Sequence, residues 1–263
     1  CQASVTGSGN PGHGIAQCAL FFIVPGPKTI QGRYLGSPFY LPSTAASIPA
    51  QIDPITIDPL VSAGNYFNCS LDVTGQAFCW GKSDSGQTTP PPGYLYNQLS
   101  ASNAFACARR LDSQLNCWGW NGYGVATPPT TTGFIAVTTG ASHACGLDWS
   151  GTATCWGNPA NGRTIPSAGS FDQLSAGDSH TCGLLMNTGE ASCWGLNTSG
   201  QANPPVGVKF IQVSSGGDFT CGVRSSDGAL QCWGSRSSPT TDTGFEALDA
   251  GYAHLCAIRA DDT

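Results

Sequence analysis

Two cysteines ten or eleven positions apart, with Trp-Gly directly after the second, recur along this chain. They appear in NCSLDVTGQAFCWG from 68, ACARRLDSQLNCWG from 106, ACGLDWSGTATCWG from 144, HTCGLLMNTGEASCWG from 180 and TCGVRSSDGALQCWG from 220. Such pairs have two chemistries open to them, a disulfide or a shared metal ion. Zinc fits poorly, because no close Cys-x-x-Cys knuckle occurs and the hairpin-length spacing recurs without histidines to complete four ligands. A disulfide fits well. Opposite residues of an antiparallel hairpin have Cα atoms about 4.5 to 5.5 Å apart, within bridging range. The expected pairs are Cys69–Cys79, Cys107–Cys117, Cys145–Cys155, Cys182–Cys193 and Cys221–Cys232. Closing so short a loop stabilises the fold by about 2 to 3 kcal/mol in the chain-entropy account.

His143, His180 and His254 also invite an acid-base or metal role, since each stands two positions before the first cysteine of its unit. Other units carry Phe67, Phe105 and Phe219 there. A position that takes His or Phe alike reads as a packing site, with the imidazole hydrogen-bonded to backbone. Trp80, Trp118, Trp156, Trp194 and Trp233 read as core between units. Asp148 and Asp227 read as turn formers. No G-x-S-x-G, phosphate loop, H-E-x-x-H or suggestively placed carboxylate pair occurs, so the expectation is a non-enzyme without a cofactor or a metal site.

The elements that must position these residues follow from the period. The CWG triplets start at 79, 117, 155, 193 and 232, a spacing of 38, 38, 38 and 39. A fixed period of this size marks a repeat too small to bury its own apolar face. Each unit opens on an alternating run (FIAVTTG from 134, FDQLSAG from 171) and turns at Asx or Gly. It returns to CWG and leaves through a Gly- and Pro-rich loop such as GQTTPPPG from 86. Tight hairpin signals and frequent prolines exclude helices of ordinary length. The fold class expected is all-β, a six- or seven-bladed β-propeller with one disulfide per blade hairpin.

Composition limits the compartment and the partners. Thirteen cysteines, mostly in hairpin pairs, point to an oxidising environment, hence an extracellular or cell-surface location. Charged residues make up 10% of the chain and the net charge is −6, which argues against nucleic acid. The longest apolar run, CALFFIV from 18, is strand-sized, so no membrane span is expected. Sequons at Asn68 and Asn197 are glycosylation candidates.

The combination AGxxHxCG, CWG, NxxGQ and PP, as in SAGDSHTCGLL and ASCWGLNTSGQANPP, resembles repeats of the regulator of chromosome condensation superfamily of β-propellers over residues 56 to 263. The cysteine-bearing short form is similar to the ectodomains of Crinkly-type plant receptor kinases and to bacterial and algal surface proteins. Its short period is also similar to that of a secreted bacterial β-lactamase inhibitor propeller. The resemblance implies about seven blades and binding rather than catalysis, with the ligand left to the loops. The disulfide pattern disfavours the nuclear exchange-factor role.

At the ends, GIAQC (14–18) matches the GxAxC before the other second cysteines (GQAFC, GTATC, GEASC), which makes Cys18 the expected partner of Cys256. The division expected is a tether over 1–13 and one propeller domain over 14–263, with a closing strand at 14–24, a degenerate blade at 25–55 and recognisable repeats over 56–263. Pairing within one chain closes the propeller; pairing with a neighbouring copy builds a filament by strand donation. Cys1 is left over, for lipidation or an intermolecular disulfide. Departures from the repeat supply the contact candidates: Trp120 and Tyr123 after the second CWG, Trp149 in a hairpin turn, and Arg109-Arg110 before another. The partner classes expected are a protein, copies of the chain itself, or glycans.

Overall fold

A computed structural model describes residues 60–259, together with short strand segments before them. The chain divides into two compact units, Cys1–Thr56 and Ile57–Thr263. In the first, β1 (Thr6–Gly7) pairs with β2 (Gly14–Ile15). Two nested antiparallel pairs follow: β3 (Gly26–Ile30) with β6 (Ile48–Ile52), and inside them β4 (Arg33–Tyr34) with β5 (Ser43–Thr44). The expected blade at 25–55 is thus described as a nested hairpin, and of the expected closing strand at 14–24 only β2 is described.

The second unit is a run of antiparallel meanders, hereafter blades. The first holds β7 (Leu60–Ala63), β8 (Phe67–Leu71) and β9 (Ala77–Gly81). The second holds β10 (Tyr96–Ala101), β11 (Phe105–Arg110) and β12 (Leu115–Gly119). The third comprises β13 (Phe134–Thr139), β14 (His143–Asp148) and β15 (Ala153–Gly157). The fourth comprises β16 (Phe171–Ala176), β17 (His180–Leu185) and β18 (Ala191–Gly195). The fifth is β19 (Phe210–Ser215), β20 (Phe219–Arg224) and β21 (Leu230–Gly234), and the sixth has two strands, β22 (Phe245–Ala250) and β23 (Leu255–Arg259).

Asx and glycine turns explain where the strands stop. Asp72 Oδ1 accepts from the Thr74 and Gln76 amides, and Asp148 Oδ1 from the Ser150 and Thr152 amides, so each carboxylate replaces a strand partner with a local turn. Asp227 does the same for the Ala229 amide. The turn carbonyl then holds the next blade: Gly151 O accepts from Phe171 N at 2.8 Å, and Gly189 O from Phe210 N at 2.8 Å.

The apolar core lies between blades. Phe67, Cys69 and Leu71 of the first pack with Tyr96, Leu99 and Trp118 of the second, and Phe219, Cys221 and Val223 of the fifth pack with Leu248 of the sixth. A single three-stranded sheet has no such core, so neighbouring repeats are needed to bury its faces.

The first strand of each blade is a sheet edge whose N–H groups need partners. Side chains of the preceding blade supply them. Ser62 Oγ accepts from Ala101 N, Ser100 Oγ from Thr139 N, Thr138 Oγ1 from Ala176 N, Ser175 Oγ from Ser215 N and Ser214 Oγ from Ala250 N, at 2.8 to 3.1 Å. Gln98 and Gln173 each make a two-way amide clamp, onto Val137 and Val213. Blades come close enough at the end of the first strand to require glycine. A Cβ on Gly177 would lie 2.4 Å from Gly216 O of the next blade and 2.4 Å from His180 Cε1.

Candidate functional site

The structure joins Cys69 to Cys79, Cys107 to Cys117, Cys145 to Cys155, Cys182 to Cys193 and Cys221 to Cys232. Each pair stands directly opposite in register, with Cα atoms 4.0 to 4.1 Å apart, closer than the hairpin average because side chains approach most nearly at such non-hydrogen-bonded pairs. The first cysteine of every pair is buried in the layer between blades. This chemistry is structural.

His143 and His180 are fully buried, as are Phe67 and Phe105 at the same repeat position. The expected hydrogen bond to backbone is corrected. His143 Nε2 shares a 2.8 Å hydrogen bond with Thr181 Oγ1, and His180 Nε2 one with Thr220 Oγ1, in each case a threonine of the next blade. Thr replaces the Ala106 and Ala144 that face Phe67 and Phe105 and so supplies the partner of Nε2, while Nδ1 of both imidazoles is buried without a partner among the described residues. Burial, with Arg163 adding to it, pushes His143 down to about 3, and burial pushes His180 down to about 4, so both imidazoles are neutral at neutral pH. His254 is exposed.

Four CWG indoles latch blade to blade. Trp118 Nε1 donates to Gln87 O, Trp156 to Val125 O, Trp194 to Arg163 O and Trp233 to Gln201 O, at 2.8 to 3.2 Å. Trp80 departs from the expectation of core: it is 49% exposed. Its counterparts each rest on the loop that follows the preceding blade, and the blade of Trp80 is the first of the second unit.

The contact candidates fall at opposite ends of the blades. The loop after CWG folds back on the start of the second strand: Trp120 N donates to Ala104 O, Asn158 N to Ser142 O and Leu196 N to Ser179 O. Trp120 and Tyr123 belong to this end. Trp120 is half-buried, Tyr123 is 65% exposed, and their rings meet edge to face with centroids 6.0 Å apart. Trp149, 77% exposed, sits at the other end in the β14–β15 turn. Arg109 and Arg110 end β11 at that same far end. Arg110 pairs with Asp112 and lies 4.2 Å from the Tyr94 ring centroid, so it is held within its own turn. Arg109 is partly buried and desolvation holds its pKa down. The five residues therefore do not make one surface; a six-residue strand separates the two ends by about 20 Å.

On the Trp120 end the structure adds Tyr66, Arg163 and Asp178, which sequence reasoning passed over, and a backbone feature of Tyr123. Tyr66 and Tyr123 have φ of 71° and 60°, a left-handed conformation in which bulky residues are uncommon. Asn161, at the position of Tyr123 one blade later, has φ of 59°. Arg163 is 7% exposed, with Nε donating to Ala160 O and Nη1 to Ser142 Oγ, both at 2.9 Å. Asp178 is half-buried, and burial, then the neighbouring Asp218, push its carboxyl up against a smaller opposite pull from Arg163. The same loop position carries Gln87, Val125 and Gln201, so in the sequence Arg163 stood out only as the charged member of a variable position.

Asn197 is exposed in its loop, where its amide donates to Asn203 Oδ1 and accepts from Ala202 N; Asn68 lies half-buried in β8. Cys256 is exposed, has no disulfide partner among the described residues, and stands on β23 where the other blades place their first cysteine. Cys1 and Cys18 lie outside the described residues. Among the described residues, no helix is long and apolar enough to cross a membrane.

Residues 60–87, 171–201 and 210–238 match the regulator of chromosome condensation (RCC1) repeat. The ectodomain of the Physcomitrella patens receptor kinase CR4 is similar at 28% identity and a TM-score of 0.68, over 77% of this chain and 59% of that one. This chain thus spans less than two thirds of that ectodomain's length. The CRINKLY WD40 ectodomain of the Arabidopsis thaliana receptor kinase ACR4 is similar at 27% identity and a TM-score of 0.64, over 76% of this chain and 74% of that one. Prp20p of Saccharomyces cerevisiae, at 16% identity and a TM-score of 0.66 over 81% and 73%, shares the fold alone. No curated protein sequence matches the chain.

Proposed function

We propose, for a chain that carries regulator of chromosome condensation repeats on an all-β propeller fold, a non-catalytic binding scaffold that works outside the cell or at its surface. The compartment is supported by one disulfide in each of five blades and by similarity at 27 to 28% identity to two receptor-kinase ectodomains. The contact surface is the blade end formed by the loops after CWG and the turns between first and second strands. One observation carries that choice. Tyr123 keeps an exposed aromatic ring in a left-handed backbone position that its sister Asn161 fills without strain, and such strain persists where a side chain serves function. A photo-crosslinking residue at 123 is expected to capture the partner at the surface of cells of the source organism, and one at 149 is not. Capture from 149 alone would place the contact at the other end. Hydrolysis of any member of a substrate panel, abolished by a single polar-to-alanine change, would overturn the non-catalytic reading.

A second reading, a filament protomer, is favoured by Cys256. It stands exposed on a two-stranded sheet, in register with the cysteines that other blades bridge to a third strand. In this reading a strand bearing a cysteine, GIAQC of the same chain or of another copy, would add as that third strand, beyond the pairing of Gly14–Ile15 with Thr6–Gly7.

A further inference from the structure

Arg163 departs most sharply from the chemistry of its sister positions. Gln87 and Gln201 fill the same loop position with a neutral amide whose Oε1 accepts from the backbone N–H two residues earlier, at 2.8 Å in each blade, and Val125 fills it with an apolar side chain. Arg163 puts a permanent cation there at 7% exposure. Its two hydrogen bonds go to neutral oxygens, and no carboxylate lies within 4.0 Å among the described residues. Burying a guanidinium without a counter-charge is expensive. The nearby carboxylate, Asp178 of the next blade, is half-buried and accepts no side-chain hydrogen bond from a described residue. The two are brought together by backbone bonds: Ser142, which holds Arg163 Nη1, follows Ala141, whose N–H donates to Asp178 O at 3.1 Å. The two charges act on each other electrostatically across this contact and form no ion pair among the described residues. The short 3-10 turn at Gly122–Gly124 packs on β15, whose end leads into Asn158 and its bond to Ser142 O, and Tyr123, with Trp120 edge-on to its ring, acts electrostatically on Arg163.

We propose that Tyr123, Ser142, Arg163 and Asp178 form a site for a neutral sugar residue of a glycan, with the sugar ring stacked on Tyr123 and two adjacent hydroxyls bridging Arg163 and Asp178. A vicinal diol meets both groups at once, since one hydroxyl oxygen accepts from a guanidinium N–H other than the two already bonded and the other O–H donates to the carboxylate. An anionic ligand meets Asp178 and the neighbouring Asp218, and a cationic one meets Arg163; a neutral polyol is repelled by neither. An exposed ring beside a few fixed polar groups is also how small-ligand sites gain orientation. This inference rests on the reading of the Trp120 end as the contact surface and names the ligand class for it.

The test is a panel of immobilised oligosaccharides ending in glucose, galactose, mannose, fucose, N-acetylglucosamine or sialic acid. It is probed with the full chain and with R163Q, D178N, Y123N and, at the far blade end, W149A. R163Q and Y123N install residues that sister blades already carry, so both variants fold, which thermal denaturation checks. Binding to at least one neutral terminus is expected, weakened about tenfold or more by R163Q, by D178N and by Y123N, and unchanged by W149A. No binding to any neutral terminus up to about 10 mM sugar, binding to sialylated chains only, or binding indifferent to R163Q and Y123N overturns the site. Capture of an unglycosylated protein from position 123 by a chain that binds no glycan also overturns it, while leaving the contact surface standing. Capture from position 149 alone removes the contact surface as well.

Discussion

The imidazoles of His143 and His180 bring the strongest pH dependence into the fold. Their native pKa values of about 3 and about 4 lie below the free value of about 6.5. The neutral form is therefore the one the fold prefers, and its stabilisation is complete above pH 6.5 and lost as pH falls toward those native values. The melting temperature is expected to drop between pH 7 and pH 4. Replacing His143 and Thr181 by Phe and Ala, and His180 and Thr220 likewise, copies the Phe105–Ala144 contact and should flatten that part of the profile. An unchanged slope in the fourfold variant would assign the acid sensitivity to other groups. H143A alone should be worse at every pH, by about 2 kcal/mol or more, because it opens a cavity and strands the Thr181 hydroxyl. Tyr123 runs the other way. Y123N relieves a left-handed aromatic, so stability should stay level or rise by up to about 1 kcal/mol, read from the denaturant midpoint.

At the scale of elements, each hairpin is stapled and each blade is latched, and the two devices separate experimentally. Replacing Cys145 and Cys155 together by alanine should lower stability by about 2 to 3 kcal/mol, because the unfolded chain regains the freedom of a ten-residue loop. Trp118→Phe keeps the apolar contact with Tyr96 but leaves Gln87 O without its donor, for an expected loss of about 1 kcal/mol. A loss larger than that of the disulfide variant would show the latch, not the staple, to be the dominant support. Gly177→Ala drives a methyl into Gly216 O and the His180 ring, and should destabilise by about 2 kcal/mol through the blade contact alone. Hairpin positions, turn residues and cysteine pairs were legible in the sequence because they are local: turn chemistry and a ten-residue separation decide them. The hydroxyl series Ser62, Ser100, Thr138, Ser175 and Ser214 was equally visible as a period, yet its meaning was not. Its partners lie on the next blade, and only the packed array shows an edge strand whose N–H groups need them.

For the whole molecule, the sixth blade stands apart, because it has two strands and Cys256 occupies the bridging register of β23 and is exposed. Its expected partner is Cys18, which lies outside the described residues. Peptide mapping without reductant should find Cys18 linked to Cys256. A monomer band on non-reducing electrophoresis places that link within one chain, and a ladder that collapses on reduction places it between copies and supports the filament. Both cysteines recovered as free thiols would end either version.

The period of 38 residues, the paired cysteines and the absence of helix-length apolar patterns determined the all-β propeller class by themselves, since each is a statement about neighbouring residues and short turns. The sequence also marked Trp120, Tyr123, Trp149, Arg109 and Arg110 as departures from the repeat, but left them as one group. Tertiary structure divided them between two ends of the blades and tied Arg110 to Asp112 and Tyr94. It also brought Arg163 onto Ser142 and the backbone of Asp178 onto Ala141 of the preceding blade. No spacing rule carries that information, because which loops meet is set by how blades stack, and stacking is decided by cross-blade contacts between residues roughly 40 positions apart.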